Sequence, residues 1–418
     1  MKRYDTYKDS GVQWLGEIPG HWKTLLNGIL FIEDVRKPET DDIPLSLSQV
    51  DGVIPTDEMK ESSLKTSSYD NWKRVIVNDL VLNRFKAHLG VMFASNYVGM
   101  VSFHYGVFKA KMDLVPKYYE YLYHTNIYRF IYADASKGMT VGLQNLSNTS
   151  FYNVRAIYPP KDEQHSIVSF LDAKCGKIDE WVTKKQKEVE HLQELKQRVI
   201  ADAVTRGLNP HVKMKTTNIP WLKEIPEHWE CVKLKMFCQD NKEKNKGNIE
   251  SCVLSLSYGN IIVKKNVNFG LVPENYESYQ IVNPGNIILR LTDLQNDHKS
   301  LRTGLVKNRG IITSAYVGLI VKNMNSEYTQ LILHSYDVMK VFYGMGGGLR
   351  QSMSYTDIAN VYIPVPPLSE QRSIVSYLDA KCAKIDKLIA NITKEIECIK
   401  EYKQRLISDV VTGQIKVC

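Results

Sequence analysis

Several things are scarce in this chain. Nowhere do apolar residues run together for the roughly 18 positions that a membrane helix needs. The opening residues carry no secretory leader pattern of basic, apolar and small segments. A cytoplasmic address without membrane contact is therefore the expectation. Cysteine is sparse and odd in number, seven in all, with no Cys-x-x-Cys; Cys231 and Cys238 stand seven apart. Neither a disulfide framework nor a zinc site is expected from that spacing. Signals of catalysis are also missing. The Gly346–Gly348 run is not followed by Gly-Lys-Ser/Thr, and it lacks the strand–turn–helix frame of a dinucleotide loop. Ile157-Tyr158-Pro159-Pro160 has no asparagine where an Asn-Pro-Pro-Tyr amino-methylation motif requires one. His21 and His228 sit beside tryptophan with no paired nucleophile. Charge excess is modest: 54 Lys+Arg against 46 Asp+Glu, or +8. That fits a nucleic-acid binder without demanding one.

What the chain has is a repeat. Glu163 to Asp179 returns as Glu370 to Asp386 with 14 of 17 positions identical. Lys187 to Thr205 returns as Lys394 to Thr412 with 11 of 19 identical, at the same offset of 207. Trp14-Leu15-Gly16-Glu17-Ile18-Pro19-Gly20-His21-Trp22 answers Trp221-Leu222-Lys223-Glu224-Ile225-Pro226-Glu227-His228-Trp229 at that offset too. Such a period means two copies of one unit. Between these anchors the halves diverge, notably at 24–42 against 231–251 and 84–98 against 290–309. Shared stretches read as scaffold and divergent stretches as surfaces for different targets.

Residues 1–158 and 207–365 each mix short β-type runs with a helical stretch, about 116–135 and 327–342. Runs of this kind predict compact α+β domains. Each ends at a proline step, Pro159-Pro160 and Pro366-Pro367, after which a long helix is expected. The helices occupy the spans 159–206 and 366–418. In the second, Val375, Cys382, Ile389, Ile396, Lys403 and Val410 fall seven apart, as do Leu378, Ile385, Ile392, Ile399 and Leu406. The first follows through Val168, Cys175, Val182, Val189 and Ala203 and through Leu171, Ile178, Leu192 and Val199, with Lys185 and Lys196 as polar breaks. This heptad pattern predicts a two-helix coiled coil. A helix of some 44 residues is roughly 66 Å long. Chain order makes the pair antiparallel, with the two α+β domains separated by it in a pseudo-twofold arrangement. A pseudo-twofold protein suits duplex DNA.

The doubled Glu-Gln-x-x-Ile-Val-x-x-Leu-Asp-x-Lys-x-x-Lys-Ile-Asp helix start, the proline step and the Ile-Pro-x-His-Trp opening resemble the specificity subunit of Type I restriction–modification systems. The resemblance implies two target-recognition domains, each reading one half of a split, asymmetric DNA sequence, with the helices setting the unread spacer. It implies no chemistry and no cofactor on this chain. The partners would be double-stranded DNA, two adenine methyltransferase subunits using S-adenosylmethionine, and motor–nuclease subunits using ATP and Mg. A single-chain DNA-modifying enzyme and a coiled-coil adaptor are the competing readings. Salt-dependent duplex binding would separate the adaptor, and an assay of the chain alone with S-adenosylmethionine would separate the enzyme.

Candidate DNA contacts follow from residue type and place. Arg84, Lys86 and His88 cluster just after a shared β run, and Arg290, Lys299 and Arg302 occupy the matching region. Arginine and lysine pair with guanine or hold phosphates. The loops around Lys137 and Gln144, and around Arg350 and Gln351, are rich in small residues that let backbone approach phosphate. Exposed-type residues repeated in both helices mark a docking surface: Glu163, Lys177, Asp179, Gln197 and Arg198, with Glu370, Lys384, Asp386, Gln404 and Arg405. The dense tyrosines Tyr118, Tyr119, Tyr121, Tyr123, Tyr128 and Tyr132 read as core and partner surface, and the paired tryptophans Trp14, Trp22, Trp221 and Trp229 as structural.

Overall fold

The computed structural model describes residues 2–59, 69, 71–136, 145–264, 275–297, 301–345 and 352–417. It has two compact units. One comprises Met1–Lys185 with Lys394–Cys418, and the other Gln186–Thr393. Each unit therefore takes part of both long helices, Lys161–Arg206 and Leu368–Val411.

The first unit is built on a four-stranded antiparallel sheet ordered Phe31–Glu33, Tyr105–Ala110, Leu80–Asn83, Met92–Ala94. The second unit repeats that order with Cys238–Asp240, Val317–Val321, Ile287–Leu289 and Thr303–Leu305. Small antiparallel pairs also recur. Lys23–Leu26 with Arg155–Tyr158 is matched by Glu230–Lys233 with Tyr362–Val365. Leu45–Ser48 with Gly52–Pro55 is matched by Leu254–Ser257 with Asn260–Val263. The α+β expectation and the topological repeat agree with this.

The central strands show why their sequences are apolar at every position. Leu80 and Leu82 enter the main core with Trp22, Tyr118 and Tyr123, while Val81 enters a second core with Leu47, Val75 and Val101. Ile287 and Leu289 likewise face one core and Ile288 another. A strand buried on both faces loses the alternation of a half-exposed one. The apolar run at 75–83 is split into Lys73–Val75 and Leu80–Asn83 by a turn. There Asn78 has φ 69°, and Asp79 accepts a hydrogen bond from the Ile76 amide at 2.8 Å. The second unit makes that turn with Asn286 accepting from the Asn283 amide at 2.8 Å.

The helical stretch expected at 116–135 is two helices, Pro116–Tyr123 and Asn126–Ala135. Its counterpart is Ser326–Val338. Tyr118, Tyr119, Tyr123, Tyr128 and Tyr132 are fully buried, whereas Tyr121 is half-buried and donates to Asp172 at 2.6 Å.

The long helices pack antiparallel within each unit. In the first, Leu171 and Cys175 share a core with Leu406, Ile407 and Val410. In the second, Ile200, Ala203 and Val204 share one with Ile374, Val375 and Leu378. Every residue of the expected heptad seam is buried or half-buried, and none is exposed. Each globular part also holds a helix end: Tyr118 donates to the Val411 carbonyl at 2.8 Å, and Tyr328 donates to the Val204 carbonyl at 3.0 Å. Both helices stop at a left-handed glycine, Gly207 and Gly413. At Gly413 a Cβ would lie 2.4 Å from the Pro19 ring, so glycine alone fits. No described helix is long and apolar enough to cross a membrane.

Candidate nucleic-acid interface

The loop after Leu80–Asn83 is set by its first residue. The Asn83 side chain accepts from the amides of Phe85 and Lys86, at 3.1 and 3.2 Å. This small Asx turn fixes where the following side chains emerge. Arg84 donates from Nη2 to Glu33 Oε1 at 2.8 Å. Lys73 reaches that same oxygen at 2.9 Å, and Asn148 donates to the other carboxylate oxygen. Burial pushes the Glu33 carboxyl up, but the Lys73 and Asn148 hydrogen bonds and the Arg84 and Lys73 charges outweigh it and hold it below the ordinary range. Two cations share one carboxylate, so the site keeps a net positive charge. Beside it Lys86 is exposed and His88 is half-buried, with Nδ1 enclosed and lacking a partner.

The corresponding region of the second unit is organised differently. Arg290 is about a third exposed and lies 3.5 Å from Asp297. Arg302, expected to contact DNA, is instead fully buried. Its guanidinium donates to the backbone carbonyls of Arg290, Thr292, Asp293 and Asp297 and, at 3.0 Å, to the Tyr343 hydroxyl. With its donors turned onto its own loop, it shapes the loop that carries Arg290 and does not reach outward. Lys299, Lys137, Gln144, Arg350 and Gln351 lie outside the described residues.

The docking candidates divide. Lys177, Asp179, Arg198, Lys384, Asp386, Gln404 and Arg405 are exposed. Asp179 pairs with Lys403 at 2.7 Å, and its repeat partner Asp386 pairs with Lys196 at 2.7 Å. Both lysines occupy seam positions, so these polar breaks are neutralised across the helix pair. Arg198 and Arg405 each approach an aspartate one turn on, at 3.7 and 3.6 Å. Gln197 is half-buried against His334, its Oε1 2.9 Å from Nε2.

Glu163 and Glu370, expected on the docking surface, are half-buried and have partners within their own units. Glu163 accepts from Trp22 Nε1 at 3.0 Å and from Tyr4 at 2.9 Å, and lies 2.5 Å from His21 Nε2. Glu370 accepts from Trp229 Nε1 at 3.0 Å and lies 2.9 Å from His228 Nε2. Each glutamate ties the Ile-Pro-x-His-Trp segment to the first turn of a long helix. Burial raises the Glu163 carboxyl, but hydrogen bonds from His21, Trp22 and Tyr4 prevail and hold it below the ordinary range.

The neighbouring glutamine completes the motif, in a role that the sequence alone did not reveal. Gln164 accepts from the Val115 amide at 2.8 Å and donates to the Pro159 carbonyl at 2.9 Å. Gln371 does likewise with the Asn325 amide and the Pro366 carbonyl, both at 2.9 Å. The repeated Glu-Gln pair is thus a joint between domain and helix. Its repetition with buried partners was the available signal.

Among the described residues no group of His, Cys, Asp and Glu side chains could hold a metal ion. The six described cysteines are free, and Cys175 is packed in the core. His21 and His228 are both taken up by the glutamate joints.

The comparisons with known proteins match this architecture. The model of the Type I restriction modification DNA specificity domain matches residues 40–191 and again 226–398. The putative type I restriction enzyme MjaX specificity subunit of Methanocaldococcus jannaschii is 26% identical over 321 residues, covering 73% of this chain and 70% of that protein. The MjaVIII specificity subunit of the same organism is 27% identical over 293 residues, covering 66% of this chain and 65% of that one. The chain thus spans about two thirds of the length of these relatives. Among solved structures, a chain from work on complex assembly and conformational transition of the type I R-M system has a TM-score of 0.69 at 17% identity, over 95% of this chain and 99% of that one. The HsdS subunit from Thermoanaerobacter tengcongensis has a TM-score of 0.51 at 17% identity, over 95% and 98%. At that identity the two structures speak for the fold. Two matched domains, covering most of the chain, place it in the family of Type I restriction–modification DNA specificity subunits, which recognise DNA sequence and do not themselves catalyse.

Proposed function

We propose that each unit reads one half of a bipartite, asymmetric DNA target, with an unread spacer set by the two long helices acting as a coiled coil. Arg84, Lys86 and His88 serve the first half-site and Arg290 the second. Lys137, Gln144, Lys299, Arg350 and Gln351 belong to the same proposal. The exposed repeated residues of the helices, from Lys177 and Arg198 to Lys384, Gln404 and Arg405, carry two equivalent docking surfaces. Two equivalent surfaces suit two copies of one partner, here an adenine methyltransferase subunit using S-adenosylmethionine. Motor–nuclease subunits using ATP and Mg join the complex for cleavage, and the assembly works in the cytoplasm.

The observation that carries this reading is a contrast. Strand order and helix joints are the same in both units, whereas the loops after Leu80–Asn83 and Ile287–Leu289 share neither length nor ion pairs. A common scaffold presenting unlike loops suits two unlike half-sites. Exchange of residues 24–156 for the matching region of a relative, followed by methylome sequencing, tests it. One half-site is expected to change while the other and the spacer persist. A change in both halves, or a continuous methylated motif, would contradict it.

A further inference from the structure

The first unit presents exposed aromatic rings where a soluble domain has no folding reason to place them. Register brings two loops to one end of its sheet, because Tyr105 pairs with Asn83 at the ends of adjacent strands. Phe85 emerges from the loop after Asn83. Phe103 and His104 are the corner residues of a tight turn closed by the Tyr105 amide on the Ser102 carbonyl at 3.0 Å. The His104 ring lies 3.9 Å from that of Phe103 and 5.8 Å from that of Phe85, centroid to centroid. Phe103 is 52% exposed and Phe85 39%. Turn corners normally hold glycine, proline, asparagine, aspartate or serine. Two aromatic corners against a third exposed ring form a ridge with the cationic Arg84 and Lys86 at its base.

The second unit supplies the control. Its equivalent turn, Thr313 to Tyr316, is closed the same way at 3.2 Å, but its corners are Ser314 and Ala315. The Leu291 carbonyl accepts from the Met353 amide as the Arg84 carbonyl does from the Leu146 amide, so Thr292 stands where Phe85 does; it is half-buried and carries no ring. The fold therefore needs the turn and does not need the rings. They belong to what distinguishes the two units, and adjacent positive charge selects a polyanion as the occupant.

We propose that Phe85, Phe103 and His104 form a base-contact ridge that enters the major groove of the first half-site and packs on thymine C5-methyl groups. This rests on the half-site reading above. Phenylalanine against the thymine methyl is a direct-readout contact open to such a ridge, and the flanking cations hold the phosphates.

The test uses the full chain in its assembled methyltransferase complex. Binding is measured for wild type, Phe103→Ala and Phe85→Ala on duplexes whose first-half-site thymines are replaced singly by uracil. Loss of one buried methyl is expected to weaken wild-type binding by about three- to tenfold at one or more positions. At those positions the alanine variant should bind as weakly as wild type does on uracil and lose nothing more when uracil is introduced. Second-half-site substitutions should affect all three proteins alike. Additive losses, or alanine variants that bind the intact duplex as wild type does, would overturn the ridge. Exchange of residues 24–156 separates the two levels. If that exchange switches a half-site while the alanine variants behave as wild type, the ridge alone is wrong. If it switches neither, the half-site reading fails with it.

Discussion

Replacing Glu163 by alanine tests whether the repeated helix start is a joint or a docking surface. Trp22 is fully buried, and Glu163 is the acceptor for its Nε1. Alanine leaves that donor unsatisfied, at a cost of about 1–3 kcal/mol. The Tyr4 hydroxyl loses a hydrogen bond worth about 0.5–1.5 kcal/mol. His21 is half-exposed, so its pair adds no more than about 1 kcal/mol. The total is about 1.5–5.5 kcal/mol, a large share of a domain's stability of about 5–15 kcal/mol. Glu163→Gln keeps an acceptor for Trp22 and should cost well under half as much. Urea unfolding gives the size of the effect, and amide hydrogen exchange gives its place. Protection should fall across residues 4–22 and persist across 214–229, where Glu370 holds the equivalent joint. An alanine variant as stable as wild type, with unchanged exchange but weaker methyltransferase binding, would refute the joint and return Glu163 to the surface.

Arg302→Met removes charge-assisted hydrogen bonds worth about 1.5–3 kcal/mol each and should raise hydrogen exchange at residues 290–297. Because the side chain is buried, the salt dependence of duplex binding should keep its slope; a slope lower by about one would restore Arg302 as a phosphate contact. His334 gives a pH prediction. Burial, then the Lys196 charge, push its imidazole down to about 4. The unfolded chain takes up that proton near pH 6.5 and the folded one does not. Its contribution is therefore complete above about pH 6.5 and is lost as pH falls toward about 4, on the order of 2–3 kcal/mol. Urea midpoints between pH 7 and 4.5 should show a steeper loss for wild type than for His334→Gln, and parallel curves would refute the assignment.

The heptad seam was legible because one physical rule, apolar residues every three and four positions, governs it without outside help. Its polar interruptions were legible as positions but not as partners. Lys196 and Lys403 pair with Asp386 and Asp179, residues some two hundred positions away in sequence that carry no local mark. The five buried tyrosines between Tyr118 and Tyr132 were legible because helical spacing is local too. Arg302 was misread for the converse reason. Apart from the Tyr343 hydroxyl, its guanidinium donates to backbone carbonyls, which every residue possesses, so nothing in residue type separates a buried carbonyl clamp from an outward basic side chain.

Repetition also carried two meanings that the sequence could not separate. Glu163 with Glu370 and Lys177 with Lys384 repeat equally well, yet the first pair turns inward to tryptophan and the second stays exposed. A residue recurs in both halves either because both copies must fold or because both must meet the same partner. Only burial distinguishes these. The reverse holds for specificity. The turn at 102–105 recurs in backbone geometry at 313–316, but its corners change from Phe-His to Ser-Ala. Where backbone is kept and side chains are released, folding has ceased to constrain the residue. Half-site discrimination should therefore be sought first at such corners, ahead of charged residues that, like Arg302, have partners inside their own domain.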